Sequence, residues 1–207
     1  EWTYEYEDMN GLTAVGTIGA DIAAAKGLLV VNSAGNSGSD TNFPWCGSPA
    51  DGFDVFTIGA VTSTNERASF SSIGPSADGR TKPEVMSMGQ GSAVADGGEG
   101  VSFGSGTSFS SPIIAGMSAC LMQAYPNKSP EEIKESLMQS GSNHNSPDNF
   151  MGWGIPDYML AYSLLTTIEI LEEENSSFAS VYPNPFNTDF TIKLKAEIND
   201  DLLIKLI

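Results

Sequence analysis

From Gly89 to Gly106 the chain carries glycines at 89, 91, 97, 98, 100, 104 and 106, and it then runs into the long apolar stretch Pro112 to Tyr125. No other part of the sequence restricts the fold as tightly. The glycines let the backbone approach a ligand closely and take up positive φ where needed. The apolar stretch that follows reads as a helix buried nearly all round, with Pro112 suited to its first turn. The joint between them, Gly106-Thr-Ser-Phe-Ser-Ser-Pro112, puts Ser108 at or just before the helix N-terminus. Unpaired N–H groups and the helix dipole favour developing negative charge there. A serine so placed serves equally well as a helix cap, and the segment alone leaves both roles open.

Upstream, Val15, Ile18, Ile22 and Ala25 recur at helical spacing before Gly27, which predicts a helix over 13–26. Leu28 to Asn32 and Val55 to Val61 are short continuous apolar runs, the mark of strands buried on both faces. Helix followed by buried strand is an α/β rhythm, and Ser33-Ala-Gly-Asn-Ser-Gly38 sits at the carboxyl end of the first strand, where open α/β sheets place their ligands. Downstream, Ser129-Pro-Glu-Glu132 is a capping box that opens a helix ending near Gly141, and Gly152-Trp-Gly leads to a last short helix through about Leu165. The texture then changes. An acidic, polar linker over 168–177 precedes a turn-rich stretch and the alternating run Phe190-Thr-Ile-Lys-Leu194, which predicts a half-buried strand in a second, all-β domain. The expected division is 1–167, the linker, and 178–207. Because the chain stops inside a strand-like run, it is read as an interior piece of a longer protein.

Composition removes several function classes. With 26 acidic residues against 9 basic ones the formal net charge is −17, a surface that repels nucleic acid and anionic lipid. No apolar run is long enough to span a bilayer as a helix. Two cysteines do not make a disulfide framework; Cys120, within the apolar run, is expected to be a buried free thiol, and Cys46 to lie in a polar loop.

A reactive serine needs a base to become a nucleophile and donors to hold the oxyanion. The hydrolase elbow Gly-x-Ser-x-Gly does not fit, because position 110 is Ser and the one histidine, His144, has no aspartate between it and Ser108. One histidine and two distant cysteines offer no metal cluster. Asp96-Gly-Gly-Glu99 has residue types found in calcium loops and more often in plain turns, so no calcium ligand is assigned and no cofactor is expected. The glycine loop also lacks the Gly-Lys-Ser/Thr ending of a phosphate-binding loop.

Gly106 to Pro112, followed by Ile-Ile-Ala-Gly116, closely resembles the nucleophile segment of subtilisin-like serine peptidases. Val30-Val-Asn-Ser-Ala-Gly-Asn36 looks like the oxyanion strand of that family, and Ala68 to Pro75, Lys82-Pro83 and Gly152-Trp-Gly154 follow in the family's order. The resemblance spans about residues 10–165. It implies a three-layer α/β fold with a mostly parallel sheet, only part of which is present. It also implies Ser108 as nucleophile, Asn36 as oxyanion donor, and the backbone of Ser33, Ala34 and Gly35 beside the pocket for the substrate residue preceding the scissile bond. The family's aspartate and histidine come before its serine, so both are expected upstream of residue 1, His144 is expected to be an ordinary loop residue, and the chain 1–207 alone is expected to be inactive. Pro83-Glu-Val-Met-Ser-Met-Gly89 departs from the family's wording.

The tail carries a second likeness. Val181-Tyr-Pro-Asn-Pro-Phe186 and the strand after it resemble the start of immunoglobulin-like C-terminal sorting domains of type IX secretion, which implies export to the cell surface or beyond, with that machinery as partner. The implied protein is a secreted endopeptidase acting on proteins or peptides. A non-catalytic secreted or adhesive protein on a decayed peptidase scaffold is the alternative, and the residues before position 1 distinguish the two.

Overall fold

A computed structural model describes residues 4–98, 100–166, 179–182 and 191–194. The elements run α1 (Val15–Ala24), β1 (Val31–Ser33), β2 (Phe56–Val61), β3 (Val85–Met88), β4 (Ser92–Ala95), β5 (Val101–Gly104), α2 (Thr107–Ala124), α3 (Pro130–Gln139), α4 (Tyr158–Leu165), β6 (Ala179–Tyr182) and β7 (Thr191–Leu194). β1, β2 and β3 form a parallel sheet in that order, with Ile58 opposite Ser33 on one side and Val85 on the other. β2 is central and buried at every position, as its unbroken apolar run requires of a parallel strand. α2 lies across all three strands, α3 packs on α2, and α4 packs on α3. Phe56, Ile58, Val85, Ile114, Leu121, Ile133, Leu137 and Ala161 meet in the core between these layers. Each large side chain buried there contributes roughly 1.5–3 kcal/mol.

The capping box forms as expected: Ser129 Oγ accepts from Glu132 N–H at 3.2 Å and Glu132 Oε2 accepts from Ser129 N–H at 2.8 Å. Lys128 Nζ also reaches Glu132, at 2.9 Å. That hydrogen bond, with the backbone one, holds the Glu132 carboxyl down at about 2. Segment 152–154 continues the sheet past β3, with Trp153 N–H donating to Glu84 O and Met86 N–H to Gly154 O.

Several expectations are corrected. α2 starts at Thr107, so Pro112 lies inside the helix rather than in its first turn. Nor is α2 buried all round: Thr107, Ser110, Ile114, Ser118 and Leu121 form the buried stripe, while Ile113 and Met117 are exposed. Cys120, expected to be a buried thiol, is exposed on α2. Cys46 lies in a loop, where it is buried, and burial pushes its thiol up to about 12. The first strand is displaced to Val31–Ser33 and only half-buried. α1 exists, but Val15, Ile18 and Ile22 are 71%, 40% and 57% exposed, and Thr17 is its buried residue. The glycine-rich loop contains the antiparallel hairpin β4–β5, and the stretch that departed from the family wording contains β3. In the tail β6 and β7 pair antiparallel. The linker 168–177 lies outside the described residues, and no complete all-β domain is seen among those that are described.

An ion pair closes the sheet's interior. Lys82 Nζ donates to Glu84 Oε1 at 2.6 Å, Val55 O at 3.0 Å and Thr57 Oγ1 at 3.2 Å, which uses all three ammonium protons. The second Glu84 oxygen accepts from Thr57 N–H at 2.8 Å. Both side chains are sealed from solvent, at 1% and 9% exposure. Removing one partner of such a pair strands the other charge. Lys82→Met is therefore expected to cost about 3–5 kcal/mol in urea unfolding, and Lys82→Met with Glu84→Gln to recover only the part that comes from the stranded carboxylate. Unchanged stability in the single variant would contradict this account.

Candidate active site at the start of α2

β1 ends at Ser33, and Ala34 N–H extends the ladder by donating to Ile58 O at 2.9 Å. Ala34 is buried against Cys46 and Ala50. The chain then leaves the sheet through Gly35, whose φ of +108° is one that side chains rarely adopt. This turn brings Asn36 to the first turn of α2, seventy-one residues away in sequence.

Thr107 makes the junction. Its N–H and its Oγ1–H both donate to Asn36 Oδ1, at 2.9 and 3.0 Å, and its Oγ1 accepts from Gly35 N–H at 3.2 Å. A helix start leaves backbone donors without intrahelical acceptors. Gly106, the N-cap residue, has no side chain to serve one, so Asn36 caps α2 from the turn after β1. The geometry has a chemical consequence. With Oδ1 committed to Thr107, the Asn36 amide presents Nδ2, a donor with no hydrogen-bond partner among the described residues.

Ser108 follows as the second residue of α2. Its side chain is exposed, and neither its Oγ nor its N–H has a hydrogen-bond partner among the described residues. Pro112 stands four residues on and has no N–H to give to the Ser108 carbonyl. Gly106 N–H donates to Gly89 O at 2.7 Å, and Gly89 N–H to Val61 O at 3.0 Å, so the helix start hangs from the carboxyl end of β2. A Cβ at Gly106 would stand 3.4 Å from Asn36 Nδ2, and its φ of +154° also favours glycine.

Ser108, Asn36, Gly35 and Ala34 thus converge at the carboxyl end of β1, and Ser33 lies one step back in the strand. His144 is elsewhere, in the loop after α3, with Nδ1 within 2.9 Å of Gly141 O. Asp96 Oδ1 accepts from Gly98 N–H at 2.8 Å and Gly100 N–H at 3.1 Å, as a turn residue does. Among the described residues there is no group of three or more metal-ligating side chains, and no helix is long and apolar enough to cross a membrane. A concavity lined by Glu132, Glu135, Gln139 and Leu165 contains none of the Ser108 cluster.

Residues 4–154 match the profile of the Subtilase family. This chain belongs to the subtilase family. Among its relatives, Subtilisin DY of Bacillus licheniformis is 36% identical over 123 residues, 59% of this chain and 43% of that protein. Serine protease AprX of Bacillus subtilis is 33% identical over 144 residues, 58% and 31% of the respective chains. The self-cleaved protease domain of PatA superposes with a TM-score of 0.58 at 25% identity, covering 70% of this chain and 52% of that one. This subtilase chain therefore spans less than half the length of the curated relatives it matches.

Sequence reasoning singled out Asn36 and Ser108 but missed Thr107, which joins them. The signal was its place immediately before Ser108. A threonine there supplies a side-chain donor and acceptor as well as the backbone N–H. Thr107→Val removes both hydroxyl bonds and keeps the N–H bond, so it is expected to lower stability by about 1–3 kcal/mol. Thermal or urea unfolding checks this, and a neutral result would mean that the backbone bond alone holds the turn.

Proposed function

We propose that the protein containing this chain is a subtilisin-like serine endopeptidase. The single observation that carries this reading is that Asn36 is bound to Thr107, next to an exposed Ser108, while the Ser108 N–H and Asn36 Nδ2 have no partner among the described residues. Ser108 Oγ attacks the scissile carbonyl carbon while a histidine from the part of the protein preceding residue 1 takes its proton. The carbonyl oxygen becomes an oxyanion held by the two donors, and the dipole of α2 adds to that stabilisation. Collapse of the intermediate breaks the C–N bond, the same histidine protonates the departing amine, and water then hydrolyses the acyl group on Ser108. The backbone of Ser33, Ala34 and Gly35 flanks the substrate residue before the scissile bond.

The exposed apolar stripe of α1 and the exposed Ile113 and Met117 of α2 favour a preceding part of the protein. In this reading they are faces that part covers as it completes the three layers, bringing the catalytic aspartate and histidine with it. The chain 1–207 alone then lacks a base, a loss of about a millionfold in such triads.

For the tail we propose the start of a type IX sorting domain, from its wording at 181–186 and the antiparallel pairing of β6 with β7. The protein would be exported and act on extracellular proteins or peptides at or beyond the cell surface.

A fluorophosphonate probe is expected to label the full-length protein, but neither its Ser108→Ala variant nor the chain 1–207. Asn36→Ala is expected to lower kcat by about 10²- to 10³-fold, a magnitude established on subtilisin itself. Labelling that survives Ser108→Ala would overturn the assignment. Removal of residues 178 onward is expected to leave the protein inside the producing cell, and normal secretion of that truncation would refute the sorting role.

A further inference from the structure

We infer that Ser72 is a positioning residue for the oxyanion donor, gripping the backbone on both sides of Asn36. The inference rests on the oxyanion reading of Asn36 given above. Ser72 N–H donates to Gly35 O at 2.9 Å, and Ser72 Oγ accepts from Ser37 N–H at 3.0 Å. Asn36 is the residue between these two attachments. Ser72 is 1% exposed, and a Cβ at Gly35 would stand 2.8 Å from its Oγ, so the serine also forms the wall against which the turn is seated.

A clamp positions only if it is itself held. Ser71 Oγ accepts from Ala60 N–H at 3.0 Å, and Ala68 N–H donates to Ala60 O at 2.9 Å, fastening this segment to the buried strand β2. Arg67 Nη1 donates to Ser71 O at 2.6 Å, and Gly38 N–H to Phe70 O at 2.8 Å. The adjacent serines thus bond in different directions, Ser71 to the sheet and Ser72 to the turn.

Thr107 and Ser72 act on different parts of Asn36. Thr107 orients the amide through Oδ1, whereas Ser72 fixes the backbone from which the side chain projects. Loss of Ser72 Oγ leaves the Ser37 N–H without its acceptor and frees the turn to shift, and a misplacement of about 1 Å can cost on the order of a hundredfold in rate. Ser72 has no place in the substrate path this reading defines, so its effect belongs in kcat.

The test is a double-mutant cycle in the full-length protein with a peptide substrate. Ser72→Ala is expected to lower kcat by roughly ten- to a hundredfold with KM little changed, and to have no further effect in the Asn36→Ala background, because coupled residues are non-additive. Ser72→Cys keeps the volume with a weak acceptor and is expected to fall between wild type and Ser72→Ala. If Ser72→Ala does not fold, Ser72→Cys carries the same cycle. An equal loss of kcat in both backgrounds would reduce Ser72 to a structural role and overturn the inference. So would an unchanged kcat in Ser72→Ala alongside a damaged Asn36→Ala. An Asn36→Ala variant with wild-type kcat is a separate result: it removes the oxyanion reading itself, and the role of Ser72 with it.

Discussion

Every residue of β2 from Phe56 to Val61 is buried, so each of its backbone N–H and C=O groups must find a partner within the protein. β1 and β3 supply part of that ladder, and where they do not reach, other groups are drawn in. Thr57 N–H goes to the Glu84 carboxylate and Ala60 N–H to Ser71 Oγ. Ile58 O accepts from Ala34, Ala60 O from Ala68, and Val61 O from Gly89. Three of these partners lead directly to the candidate site. Ala34 precedes the turn that carries Asn36, Ser71 precedes Ser72, and Gly89 accepts the N–H of Gly106 at the head of α2. The strand with no catalytic group of its own sets the position of all of them.

The second constraint is the helix start. A first turn with free N–H groups can be capped by its own N-cap side chain, as Ser129 and Asp157 cap α3 and α4. α2 is different, because Gly106 offers nothing and the cap is Asn36, brought from the end of β1. A local cap would have tied up the donors near Ser108 within the helix itself. The distant cap engages only Thr107 and leaves the Ser108 N–H and Asn36 Nδ2 without partners among the described residues, the two donors that the proposed oxyanion site uses.

The buried Lys82–Glu84 pair answers the same need for backbone partners. Its charges are balanced against each other, and its remaining bonds go to Val55 O, Thr57 Oγ1 and Thr57 N–H, groups at the start of β2 with no solvent to turn to. Bringing charges into a core is costly by itself. Here the pair satisfies donors and acceptors that an apolar replacement of equal volume would leave bare.

By itself the sequence determined those features whose physics is local. The apolar run from Val55 to Val61 can only be a strand covered on both faces, Ser129-Pro-Glu-Glu132 carries its own reciprocal hydrogen bonds, and the wording around Asn36 and Ser108 is specific enough to place the family. Tertiary structure alone decided matters that depend on what lies opposite. Cys120 is exposed and Cys46 buried because a thiol's exposure is set by the surface packed on it, not by its neighbours in sequence. The β4–β5 hairpin was hidden because glycine and alanine blur the alternation that marks a strand. Ser108 stands in the first turn of the helix, as its sequence context placed it, but Thr107, Ser71 and Ser72 acquired roles only in the folded chain, because their hydrogen bonds run to partners 35 to 72 residues away or to a strand that no local pattern links to them.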